Sequence, residues 1–301
     1  MTLACATKHT RARVISGVAL AKEIMARAQA DANSLQRHLN IRPHLAVVIV
    51  GNDAASEIYV AEKVRAATTC GIESSKFCLD ADTDTDRLIE IIRDLNRNPA
   101  VHGILVQLPL PKGIDRDAVI GSIDPIKDVD GFHPYNVGML NSGTGSEFHV
   151  PCTPAGCMLL INAALGSNLE GKHAVVIGRS NIVGKPMLAL LGAAEATVVS
   201  AHIKTKNIAD LCRSADIIVV AAGSPALVRG DWIKPGAVVI DVGINRMPPQ
   251  GDSGRSKVVG DVHFDECVDV AGAITPVPGG VGPMTIAMLM SNTIRAARRS
   301  L

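Results

Sequence analysis

The stretch "HLAVVIVGNDAASEIYVAEKVRAATTCGIESSKFCL", residues 44–79, decides the fold. It opens on a β-branched apolar run ending at Gly51, the pattern of a strand buried on both faces. A helical pattern follows. Val60, Val64 and Ala67 recur at the i, i+4, i+7 spacing of a core-facing side, and beside them Ser56, Tyr59 and Lys63 form a polar stripe. "SSKFCL" then reads as the next strand. Strand, helix and strand in that order imply parallel pairing through a crossover helix.

The rhythm continues outward. "TDTDRLIEIIRDLNRNP" opens on cap-forming residues and runs as an amphipathic helix to a proline stop. "VHGILVQLPLP" (101–111) is a third strand leading into a proline-rich loop. Farther on, "KHAVVIG" (172–178), "ATVVSAH" (196–202), "ADIIVVAAG" (215–223) and "AVVIDVGIN" (237–245) read as four strands separated by helices or turns. Between the two sets, "KDVDGFHPYNVGMLNSGTGSEFHVPCTPAG" is rich in Gly, Pro and Asn and reads as linkage between domains. "PMTIAMLMSNTIRAARR" is a terminal helix expected to return to the first domain. The expected division is residues 1–150 plus helix 283–301 as one α/β domain, and 151–282 as the other. In the first, functional groups are expected at the carboxyl ends of the strands.

Composition narrows the class. A chain of 301 residues is too long for one small core. Apolar residues at 47% with a net charge of +1 argue for a soluble globular protein and against a nucleic-acid binder. Aromatic residues are 2%, so the core is built from Val, Ile, Leu and Ala. No apolar run reaches the ~18–20 residues that span a membrane. The opening "MTLACATKHTRAR" lacks the apolar run of a signal peptide, is short for a transit peptide and reads as an extension. The seven cysteines contain no CxxC pair, which suggests neither a disulfide framework nor a zinc site and fits a reducing cytoplasm. The histidines show no ligand spacing, and no metal is expected. Cys152 and Cys157 bracket "PCTPAGC" without a visible base, which disfavours a nucleophile there.

Several constellations bear on chemistry, each with a plainer alternative. Tyr59, one of only two tyrosines, stands one helical turn before Lys63. Gln107 lies at the carboxyl end of a neighbouring strand. A partly buried lysine loses proton affinity and acts near neutral pH; the alternative is a solvated helix margin. Asp128 and Asp130 of "KDVDG" either bind a polyamine-like edge such as a pterin ring or build a turn. "TPVPGGVGPMT" (275–285) gives close backbone approach to a flat ligand or serves as a rigid turn. In "VVIGRSNIVGKP" (175–186) a strand runs into Gly178, and Gly184 stands where a helix begins. That arrangement suits a pyrophosphate, although Ser180 replaces the second glycine of GxGxxG and an ordinary strand-turn-helix stays open. "ATVVSAHIKTK" places no acid after its strand, while Arg179, Lys204 and Lys206 supply cations, which favours NADP over NAD; the plainer alternative, preferred for Lys206, is a solvated surface charge.

Six of these segments, "SEIYVAEKVRAATTCGI", "GILVQLPLP", "KDVDGFHPYNVG", "PCTPAG", "VVIGRSNIVGKP" and "TPVPGGVGPMT", occur in one order. That order resembles the bifunctional methylenetetrahydrofolate dehydrogenase/methenyltetrahydrofolate cyclohydrolase family, from about Ile15 to the end of the last helix. The resemblance implies two α/β domains with a cleft between them, the second a Rossmann-type dinucleotide-binding domain, and a homodimer formed through the cofactor domains. It implies oxidation of 5,10-methylenetetrahydrofolate with NADP and hydrolysis of the methenyl product to 10-formyltetrahydrofolate. By position, Lys63 is the implied acid/base, Gln107 its hydrogen-bond partner, Tyr59 the stacking ring and Asp130 the pterin anchor. Ser56 is a supporting polar contact. Gly279, Gly280, Val281 and Pro283 would close over the folate, and Gly178, Arg179, Ser180 and Ile244 would line the dinucleotide. One departure stands out: some family members carry Ser or Arg where this chain has Ile203, which leaves the 2′-phosphate to Arg179 and Ser180.

Two rivals remain. A short-chain-dehydrogenase-like oxidoreductase shares the Tyr-x-x-x-Lys spacing of "YVAEK", but its glycine-rich turn precedes the tyrosine, and here Tyr59 precedes Gly178. A non-catalytic dinucleotide-binding protein of the same fold is disfavoured by the joint presence of Tyr59, Lys63, Gln107 and Asp130.

Overall fold

Every strand of the two main sheets pairs in parallel, so each connection within a sheet must cross one of its faces. The computed structural model describes residues 11–144, 147–248 and 257–300. In chain order these form β1 (Arg13–Val14), α1 (Gly17–Leu39), β2 (His44–Val50), α2 (Ala54–Thr69), β3 (Glu73–Leu79), α3 (Thr85–Arg97) and β4 (Gly103–Val106). Helices α4 (Arg116–Gly121), α5 (Pro134–Ser142) and α6 (Cys152–Leu165) come next. Then follow β5 (His173–Ile177), α7 (Gly184–Ala193), β6 (Thr197–Ala201), α8 (Ile208–Ser214), β7 (Ile217–Val220) and β8 (Val238–Asp241). The antiparallel pair β9 (Asn245–Met247) and β10 (Lys257–Val259), then α9 (Phe264–Cys267), β11 (Ala273–Ile274) and α10 (Val281–Arg299) complete the chain.

The first unit comprises Ala19–Gly156 and Pro283–Leu301. Its sheet has the order β3-β2-β4. Period-2 alternation makes β2 serve two cores at once. Leu45, Val47 and Ile49 pack with Val60 and Ala67 of α2 and Leu289, Met290 and Ile294 of α10. Ala46, Val48 and Val50 face the other way, onto Leu88, Ile92 and Leu95 of α3. Helices α2, α3 and α4 start where side chains satisfy their free N–H groups. Asp53 caps α2, Asp84 accepts from Arg87 N (2.8 Å) at α3, and Asp115 accepts from Asp117 N and Ala118 N at α4.

The second unit comprises the described residues up to Val18 together with Cys157–Gly282. Its six-stranded sheet has the order β1-β11-β8-β7-β5-β6. Val175, Ile177, Ile218, Val220 and Val239 form its buried centre.

The structure redraws three expectations. Residues 1–10 of the stretch read as an extension lie outside the described residues, whereas Ala12 is buried and its N–H donates to Val268 O (2.7 Å). Strand β1 pairs with β11, so residues 11–18 belong to the second unit, and residues 151–156 belong to the first. The segment expected as linkage carries α5, started by Pro134 in its first turn and by His133, whose side chain accepts from Tyr135 N.

Burial ranks the consequences of substitution. Leu88 is fully buried, so Leu88→Ala is expected to destabilise the first unit by about 2–5 kcal/mol. Arg87 and Glu90 form an exposed ion pair, and Arg87→Ala is expected to cost no more than about 1 kcal/mol. Urea denaturation of both variants checks the contrast.

Candidate active site

In the first unit the chain leaves β2 through α2 to reach β3, then returns through α3 to β4 on the opposite side. Strand order therefore reverses at β2, and the carboxyl ends of β2 and β4 open where ligands bind in sheets of this kind. Gln107 follows β4 directly, with its N–H donating to Val48 O (2.8 Å). Its side-chain amide donates to Leu108 O (2.6 Å). That bond turns Oε1 toward Lys63, whose Nζ donates to it at 2.9 Å.

Lys63 reaches this point from α2. Only 5% of it is exposed, so its ammonium needs partners, and Gln107 is one. The Tyr59 ring is another: Nζ lies 5.1 Å from its centroid, within cation–π range. Ser56, also buried, donates from both its N–H (2.8 Å) and Oγ (2.7 Å) to Asp53 Oδ2. The stripe of Ser56, Tyr59 and Lys63 is thus turned inward, not toward water.

The surrounding electrostatics are set mainly by loss of solvent. Burial, with Glu62 and Asp130 adding to it, pushes the Tyr59 phenol up to about 12, which keeps it protonated at neutral pH. The phenol is hydrogen-bonded to Thr285 of α10, and Thr285 Oγ1 lies 2.9 Å from Thr153 Oγ1 of α6. Desolvation pushes the Asp130 carboxyl up to about 6 against the Lys63 charge, and Asp128 raises it further. The two acids have separate duties. Asp128 is buried and accepts from His133 N (2.7 Å) and Asn136 Nδ2 (2.8 Å), which is turn construction. Cys152 is fully desolvated with its thiol raised well above the ordinary range, and Sγ lies 3.3 Å from Val129 O. A thiol so held is a poor nucleophile.

Lys63, Gln107, Tyr59, Asp130 and Ser56 thus share the first unit with Pro283, which lines a groove with Met25, Ala66 and Ile286. Gly279, Gly280 and Val281 belong to the second unit, where Val18 N donates to Gly279 O (3.2 Å). Among the described residues no group of His, Cys, Asp and Glu is arranged to hold a metal ion. No described helix is long and apolar enough to cross a membrane.

The second unit has its own reversal of strand order, at β5, with β6 on one side and β7 on the other. Gly178 follows β5 at φ +113°, and a Cβ there would stand 2.1 Å from Ala221 O. A Cβ on Gly184 would stand 2.1 Å from Gly178 O. Only glycine fits either place. Ser180 Oγ accepts from Val183 N (3.1 Å) and Gly184 N (3.4 Å), closing the turn onto the start of α7. This cradle of backbone against a helix N-terminus suits a dinucleotide phosphate. Arg179 and Lys204 are exposed, Ile244 is 56% exposed and Ile203 fully so. Behind the strand ends stand two buried acids, Asp241 and Asp261, that a strand-turn-helix pattern does not predict. The tripeptides Asp241-Val242-Gly243 and Gly260-Asp261-Val262, each a Gly beside an Asp-Val pair, are the signal the sequence offers for them.

Comparison with known proteins agrees with this geometry. Residues 15–130 match the catalytic domain of tetrahydrofolate dehydrogenase/cyclohydrolase, and residues 151–301 match its NAD(P)-binding domain. The bifunctional protein FolD of Chelativorans sp. is 55% identical over 289 residues, covering 96% of this chain and 97% of that protein. The crystal structure of the bifunctional methylenetetrahydrofolate dehydrogenase/cyclohydrolase FolD from Campylobacter jejuni is 48% identical with a TM-score of 0.90, covering 96% of this chain and 99% of that one. The Trypanosoma brucei FolD, complexed with NADP cofactor and inhibitor, is 41% identical with a TM-score of 0.92, over 97% of this chain and 99% of that one. The chain belongs to the tetrahydrofolate dehydrogenase/cyclohydrolase family, with both its catalytic and its NAD(P)-binding domain present.

Proposed function

We propose that this chain oxidises 5,10-methylenetetrahydrofolate to the 5,10-methenyl cation with NADP, and then hydrolyses that cation to 10-formyltetrahydrofolate. The observation that carries the reading is the buried Lys63 ammonium bonded to Gln107 at the reversal point of a parallel sheet. When bound, NADP supplies the hydride acceptor. Loss of hydride from the methylene bridge leaves a cation that the adjoining nitrogen lone pairs stabilise, so orientation is the protein's main contribution. Gly178, Arg179, Ser180 and Ile244 would hold the dinucleotide, with Arg179 and Ser180 meeting its 2′-phosphate.

Hydrolysis needs proton transfers. Water adds to the methenyl carbon and loses a proton, leaving a hydroxyl. The bond from that carbon to N5 then breaks as N5 takes up a proton and the hydroxyl gives up its own, which leaves the formyl C=O on N10. Lys63 serves these transfers, with Gln107 holding its position. The flat face of Tyr59 receives the aminobenzoyl ring, and Asp130 accepts from the amino and ring N–H groups of the pterin. Ser56 adds a polar contact, and Gly279, Gly280, Val281 and Pro283 close over the folate. In this reading the enzyme works in the cytoplasm as a homodimer joined through its dinucleotide-binding units.

Three outcomes are expected. In a spectrophotometric assay with 5,10-methylenetetrahydrofolate, NADP is reduced and NAD much less so. Comparable reduction of NAD would mean that Ile203 has relaxed the phosphate pocket, and no reduction of either by folded protein would sink the dehydrogenase reading. Lys63→Met is expected to lower the conversion of methenyl to formyl product by roughly 10²–10⁴ while part of the folate binding survives. Asp130 binds the pterin as a carboxylate, so a fall in pH through about 6 protonates it and raises KM for the folate. Asp130→Asn should show a raised KM without that acid limb; a KM profile unchanged from wild type would remove Asp130 from the site.

A further inference from the structure

Asp241 and Asp261 form a reciprocal lock at the carboxyl ends of β7 and β8. Asp261 is fully buried and takes four hydrogen bonds. Its Oδ2 accepts from Ala222 N (2.7 Å) and Gly223 N (2.8 Å), and its Oδ1 from Ser224 N (2.9 Å) and Asn245 Nδ2 (2.8 Å). Asp241 in turn accepts from Asp261 N (2.9 Å), Val262 N (3.0 Å) and Gly243 N (3.0 Å). Each acid fits because the other's tripeptide supplies a glycine. A Cβ on Gly260 would stand 1.7 Å from Asp241 Oδ2, and one on Gly243 would stand 2.3 Å from Asp261 Cγ. Bonds from N–H groups to an ionised carboxylate are the strong kind, and a buried one spreads little.

The three amides held by Asp261 continue the chain directly from Ala221, whose carbonyl borders Gly178 so closely that only glycine fits there. The loop after β7 and the turn after β5 are therefore the two banks of the crevice at the reversal of strand order. We infer that Asp261, held by Asp241, is a positioning residue for the dinucleotide, fixing the Ala222–Ser224 backbone as one bank of that crevice. The inference rests on the reading of the second unit as the NADP-binding one. It assigns Asp261 no contact with the cofactor and no part in hydrolysis of the methenyl compound.

The test is Asp261→Asn in the full-length protein. The amide keeps one accepting oxygen and turns a second donor toward N–H groups that already donate, so two of the four bonds are lost. KM for NADP is expected to rise about ten- to a hundredfold while kcat at saturating NADP changes far less. Cyclohydrolase activity stays near wild type and reports that the chain is folded. Intact cyclohydrolase with an unchanged KM for NADP would overturn the inference, as would equal loss of both activities in a folded variant. Should the variant not fold, amide hydrogen exchange of the wild-type protein without NADP decides: protection at Ala222, Gly223 and Ser224 supports the lock, and exchange at the rate of open loops overturns it. Calorimetric titration with NADP separates the two readings. Wild type that binds NADP without oxidising the folate refutes the proposed reaction alone, and weaker NADP binding by Asp261→Asn then still supports the positioning role.

Discussion

Parallel pairing obliges each connection to cross a face of the sheet, and where the connections change direction the carboxyl ends of two neighbouring strands are left uncovered. Both units meet this constraint, at β2 in one and at β5 in the other. The placement of two residues follows from it. Gln107 is the first residue after β4, and Gly178 the first after β5. A residue at such a point is placed by the sheet, while its neighbours stay open to a ligand.

Burial of charge is the second ordering principle. A lysine with 5% exposure is tolerated because an amide oxygen and an aromatic face stand within reach. Desolvation that lifts Asp130 to about 6 also lifts Asp241 to about 6, there against three backbone N–H bonds. The two acids are used differently. Asp130 faces the Lys63 charge and is half-buried, whereas Asp241 is enclosed by backbone donors and works as scaffolding.

Much of this was legible in the residues, and the limits have physical causes. Strands β2, β5, β7 and β8 announce themselves because both faces are buried and the runs are continuously apolar. Helix α1 does not, since its buried side is largely Ala21, Ala28 and Ala32, which leaves only a faint stripe. Strands β1 and β11 are two residues each and carry no period. The spacing of Tyr59 and Lys63 places them together and Gln107 stands just after a strand, and the structure brings these three into contact. Asp241 and Asp261 show in the sequence only as two related tripeptides, because the partners that give them a role are mostly backbone N–H groups, which a sequence does not display. The duties of Asp128 and Asp130 were open for the same reason: only His133 N and Asn136 reveal which acid builds the turn.

The paired tripeptides around Asp241 and Asp261 also bear on how such a chain can vary. Each glycine is the space another residue's carboxylate occupies, so neither half accepts change unless the other changes with it. Strands β9 and β10 lie between them in the chain, and Asn245, the first residue of β9, is tied into the same arrangement by its Nδ2 bond to Asp261 Oδ1 (2.8 Å). A change at Asn245 therefore reaches the Ala222–Ser224 loop through the carboxylate they share, so the start of β9 is constrained together with the two tripeptides.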